Sequence, residues 1–198
     1  MKIKKLNNII TILMIISIII LIVLIGSVIK ELTSAVKETA TLDTIENYNY
    51  ILTDNDTEYY KKTFKELKEI LKKEEVNEEE YAKTISKLFI IDFYSLSTSI
   101  NKNDIGGVQY IKEDYRESFI KIAKDSIYSI VENNIYGDRK QTLPTVTNVE
   151  ITEIKKLNEG YELAASITYE EDLGYTTSVK LNVIKKENIL EISSLTEM

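Results

Sequence analysis

The chain has 198 residues, no His and no Cys, and a formal net charge of −7. Those two absences remove Ser-His-Asp and Cys-His catalysis, His or thiolate metal sites, and disulfides. No G-x-x-x-x-G-K-[ST] or G-x-G-x-x-G motif is present, so phosphate-cradling loops are absent as well.

Residues 1–8 are a short basic tail carrying Lys2, Lys4 and Lys5. Residues 9–29 follow as an apolar run in which 17 of the 21 are Ile, Leu, Val or Met. As a helix the run would span roughly 31 Å, matching a bilayer core of about 30 Å. Positive charge concentrated before the run predicts a cytoplasmic N-terminus and an exported C-terminal part. The chain is thus read as a single-pass cell-membrane protein that meets lipid through residues 9–29. A cleaved signal peptide is the competing reading, with a weak A-x-A-like site near Ala35 or Ala40. The uncleaved anchor is favoured because a secretory apolar segment usually runs only about 7–15 residues. Four of the 25 basic residues and none of the 32 acids precede Glu31, leaving a net of −11 beyond the anchor. Such a surface repels phosphate backbones, so nucleic acid is not an expected partner.

Residues 30–53, rich in Thr, Glu, Asp and Asn, read as a stalk, and residues 54–198 as one extracytoplasmic domain. Three helices are predicted first. Asp54 or Asp56 would cap the first, whose Tyr60, Phe64, Leu67 and Leu71 recur at helical spacing. Asn77, followed by Glu80, starts the second, with Tyr81, Ile85, Leu88, Phe89 and Leu96 as its apolar face. Asn101 to Gly107 breaks the chain. The third helix is expected over about 112–131, with a stripe of Tyr115, Phe119, Ile122, Ile127 and Ile130.

After Pro144 the period changes from 3.6 to 2. Val149 and Ile151 open the first strand. Tyr161, Leu163, Ala165, Ile167 and Tyr169 share a face on the second; Tyr175, Thr177, Val179, Leu181 and Val183 do so on the third. Leu190 and Ile192 lie on the last. Hairpin turns are expected at 158–160, 172–174 and 186–188. The prediction is an α+β domain: three helices packed on one face of a four-stranded antiparallel sheet whose other face is wet. The expected core is Phe64, Leu67, Tyr81, Ile85, Phe89, Phe119, Ile122, Leu163, Ile167, Val179 and Leu181.

An anchor, a helical first half and four antiparallel strands together resemble the NTF2-like (cystatin-like) superfamily. In particular the order of elements is similar to that of single-anchor VirB8/TcpC-type proteins of bacterial conjugation machinery. The resemblance covers residues 54–198 and rests on element order alone. It implies a scaffold that oligomerises or contacts other envelope proteins, although NTF2-like folds also include ligand-binding pockets and pocket enzymes.

Two acids stand out as site candidates. Asp92, three and four residues after Phe89 and Leu88, falls on the buried face of the second helix. There it is either a base in a cavity or a hydrogen-bond acceptor for a Tyr or for loop amides of 101–107. Asp104, with Asn101 and Asn103, is a weak candidate for Ca²⁺, but it lacks the spaced acids and terminal Glu of an EF-hand loop, and turn formation is the simpler role. The leading expectation is a non-enzymatic, cofactor-free extracytoplasmic interaction or assembly module of a bacterial envelope, possessing some Tyr residues on the exposed sheet face as interface. The alternative is a small-ligand binder or pocket enzyme that uses Asp92.

Overall fold

A computed structural model of the chain describes residue 14, residues 17–25 and residues 39–198. The chain divides into two units, 1–38 and 39–198. In the first, Met14 and residues 17–25 are helical and their apolar side chains are more than half exposed. Among the described residues, no helix is long and apolar enough to cross a membrane. The rest of the expected span 9–29, the basic tail 1–8 and residues 30–38 of the expected stalk lie outside the described residues.

The second unit opens with a hairpin, β1 (Thr41–Ile45) and β2 (Tyr50–Thr53). Helices α1 (Glu58–Leu71) and α2 (Glu78–Tyr94) follow, then α3 (Arg116–Asp125). The chain closes with β3 (Val146–Leu157), β4 (Gly160–Tyr169), β5 (Ser178–Lys186) and β6 (Ile189–Glu197). These last four pair in sequence order as an antiparallel meander. The domain is therefore α+β, as the change of period predicts.

Local chemistry explains the helix ends. Thr57, not Asp54 or Asp56, caps α1, its side chain accepting the Tyr60 N–H at 3.1 Å. Asn77 caps α2 by accepting the N–H groups of Glu79 and Glu80. Eleven of the 17 residues of α2 are buried. Such a helix lies at the centre of the domain, and each fully buried Phe, Leu or Ile contributes about 1.5–3 kcal/mol of transfer free energy. α2 covers the sheet through Val149, Leu163, Ala165, Val179, Leu181, Val183 and Ile192, all buried in one cluster. The opposite face is polar: Glu162, Ser166, Lys180 and Asn182 alternate with that set. A bulge opposite the Asn182/Val183 step lets both Ile192 and Leu195, three apart, face the helices.

Four further expectations need correction. First, the expected stalk 30–53 is folded from Thr39 onward, with Ile45, Tyr50 and Leu52 buried. Tyr81 Oη donates to Tyr50 Oη (2.6 Å), Tyr50 Oη donates to Leu190 O (3.1 Å), and Leu190 N–H donates to Tyr81 Oη (3.2 Å). In this closed ring every hydroxyl gives one bond, and it ties the hairpin to α2 and to the start of β6. Tyr50→Phe leaves Leu190 O without its donor and the Tyr81 hydroxyl proton without its acceptor, which costs about 1–3 kcal/mol. The midpoint of urea unfolding should fall at unchanged m-value; a fall equivalent to less than about 0.5 kcal/mol would remove the clamp from the account.

Second, the helix expected over 112–131 is divided. A 3₁₀ turn at Glu113–Tyr115, α3, and a second 3₁₀ turn at Ile127–Ile130 replace it. Ser126 takes φ −115°, ψ −107°, and its hydroxyl donates to Ile122 O at 2.6 Å, competing with the helical pattern. The stripe is consequently not a core face: Ile122 is 66% exposed and leaves the expected core, and Phe119 is half-buried. The other nine expected core residues are buried. Third, β5 begins at Ser178, so Tyr175 and Thr177 belong to the preceding loop. Fourth, the outer sheet face carries no Tyr, because Tyr161 and Tyr169 face the helices.

Candidate functional site

Asp92 sits near the C-terminal end of α2, under the loop that Gly106 and Gly107 close. Its Oδ2 accepts the Gly107 N–H at 2.7 Å. The Gly106 N–H donates to Tyr128 Oη at 2.9 Å, and that hydroxyl donates to Phe93 O at 2.8 Å. Asp92 thus accepts a loop amide, the structural one of its two expected roles. Burial pushes its carboxyl up to about 7; the Gly107 N–H opposes the rise, and the carboxylates of Asp56 and Asp104 add to it.

The three acids line one cleft of about 330 Å³ between β2, the start of α1 and the loop 104–109. Part of Asp92 meets solvent through it. Most of the polar side chains around the cleft already hold partners within the protein. Asp56 Oδ2 accepts the Thr53 N–H (2.6 Å) and hydroxyl (2.8 Å). Asn55 Nδ2 donates to Thr98 O. The Gln109 side-chain amide pairs with both backbone groups of Ile51, at 2.8 and 3.1 Å, as a strand neighbour would. Asp104 Oδ2 accepts the Ile100 N–H at 2.8 Å, and Asn101 Oδ1 accepts the Asn103 N–H, so both serve the turn rather than a cation. Among the described residues, no three acidic side chains are placed to hold a metal ion. A carboxyl poised near neutrality is competent as a base; the residues lining this cleft include no Lys or Arg.

A larger concavity, about 600 Å³, lies at the other side of α2. Phe93 and Phe119 floor it, Ile122 and Ile127 form one rim, and Leu195 with Glu197 of β6 forms the other. The lining is mainly apolar and holds no Lys or Arg. Its one carboxylate, Glu197, accepts the Tyr94 hydroxyl at 3.1 Å. Sequence reasoning missed this groove because it assigned Phe119 and Ile122 to the core. The available signal was Ile122 itself, an apolar residue between Lys121 and the Lys124-Asp125 pair on a short helix. No family model, curated protein or solved structure matches the chain.

Proposed function

We propose that residues 39–198 are a non-enzymatic interaction and assembly module, held at the outer surface of a bacterial membrane by residues 9–29. The observation that carries this reading is the division of labour between these two of the domain's concavities. The polar one spends most of its donors and acceptors on internal bonds; the larger one is mainly apolar and open, and its one carboxylate, Glu197, is held by the Tyr94 hydroxyl. A helix that is apolar on every side, as residues 18–25 are, belongs in hydrocarbon rather than water, which supports the anchor. Helices followed by a four-stranded antiparallel meander agree with an NTF2-like domain. A conjugation or secretion assembly of VirB8/TcpC type is the setting that such an element order favours.

The second reading, a pocket binder or enzyme using Asp92, is favoured by the carboxyl raised to about 7. Two cellular measurements decide. Protease added to intact cells should strip the 39–198 domain, and Asp92→Asn should complement a deletion strain as wild type does. A domain that survives until lysis refutes the placement. Loss of phenotype in Asp92→Asn with protein level and thermal midpoint undiminished would instead move the function to the cleft.

A further inference from the structure

β6 is an edge strand of the four-stranded sheet. Its outer flank is covered near Ile192, where Ile111 forms a parallel bridge and the Lys112 N–H donates to Ile192 O at 2.9 Å. Past the bulge the cover stops. Met198 N–H donates inward to Ser178 O at 3.0 Å, so strand alternation turns the backbone groups of Leu195 and Glu197 outward. Among the described residues, nothing bonds to them there. Natural edges are usually blunted by Lys, Pro or a covering loop. The far edge of the sheet follows that rule, with Lys155 and Lys156 on β3 and Tyr59 Oη accepting the Val149 N–H at 3.0 Å. The end of β6 does not, and it forms one wall of the apolar groove.

We propose that the open end of β6 and the groove beside it together bind an extended peptide segment of another protein. The segment adds as a fifth strand against Leu195 to Glu197. Its helix-facing side chains drop between Phe93, Phe119, Ile122 and Ile127, and a Lys or Arg meets Glu197. Main-chain pairing supplies affinity and the pocket supplies selectivity, the usual partition in strand addition. Charge favours a basic partner over a second copy: residues 39–198 carry 20 basic and 30 acidic residues. Pairing β6 with β6 would bring two Glu197 carboxylates to a groove without a cation. A small apolar molecule would fill the groove and leave the edge amides bare. The proposal rests on the reading of the domain as an interaction module and names the chemistry of its partner.

The full chain in detergent micelles, panned against a phage-displayed library of linear random nonapeptides, tests it. Enriched peptides should alternate apolar residues and carry at least one Lys or Arg. A synthetic copy of one should bind at least tenfold more weakly to Ile122→Asp and to Glu197→Lys, and equally well to Lys155→Glu on the far edge. Hydrogen exchange at the Leu195 and Glu197 amides should slow at least tenfold when the peptide binds, a readout that needs no variant to fold. The proposal is overturned by the absence of enrichment, or by peptides that bind folded Ile122→Asp as tightly as wild type. Binding that leaves both amides unprotected, or a wild-type dimer that Ile122→Asp dissociates, overturns it equally. These outcomes concern purified protein; failure of the module reading itself shows in the protease and Asp92→Asn experiments in cells.

Discussion

Asp92→Asn should make the domain more stable at pH 8, by up to about 4 kcal/mol, and leave it nearly unchanged at pH 4. The folded-state carboxyl titrates near 7 rather than near 3.8, because burial disfavours its charge. Between those values the native state holds a proton that the unfolded chain has released. Stability therefore declines as pH rises from about 4 to about 7 and is flat above. The three-unit interval corresponds to about 4 kcal/mol, taken as an upper figure because part of Asp92 meets the cleft. Asn has no charge to bury, and its Oδ1 still accepts the Gly107 N–H. Urea unfolding of both proteins at pH 4, 6 and 8 gives the difference directly, cancelling the other titrating groups. Parallel curves for the two proteins would show that the Asp92 carboxylate is solvated after all.

How much of this was legible in sequence depended on where the determining contacts lie along the chain. The meander could be read because alternation is local: Leu163, Ala165 and Ile167 announce a face without reference to any partner. α1 and α2 could be read for the same reason, together with the Asn77 cap. The β1–β2 hairpin could not. Its first strand is five residues, mostly exposed, and what fixes it is a hydroxyl ring joining residues 50, 81 and 190. The third helix was read too long because Tyr115, Phe119, Ile122 and Ile130 keep helical spacing across a break that Ser126 makes. Asp92 was placed correctly on the inner face of α2, and the loop amides that meet it were among its expected partners. The groove was invisible because its walls come from residues 93, 119–127, 174–176 and 195–197, and no periodicity links those segments.

Phe89 and Gly107 should behave as one unit, and a double-mutant cycle exposes it. Phe89 is fully buried, its ring 5.7 Å from that of Phe93 and 5.9 Å from that of Phe119. Phe89→Ala should cost about 3–5 kcal/mol through lost transfer energy and the cavity left behind. Gly107 holds φ +77° and lies directly over that ring: a Cβ there would stand 2.8 Å from Phe89 Cδ2 and 2.9 Å from Cε2. Gly107→Ala meets two costs, about 1–2 kcal/mol for the left-handed backbone and about 1–3 kcal/mol for overpacking. Only the second depends on the Phe89 ring. In the double variant the ring is gone and the new methyl enters the vacated space, while the backbone cost remains. The double variant should therefore lose less than the sum of the singles by about 1–3 kcal/mol. Additive costs would show that the loop 104–109 moves aside rather than resisting. In that case Gly107→Ala should also displace the amide from Asp92 and extend the decline in stability beyond pH 7, because the Gly107 N–H is what holds that carboxyl down.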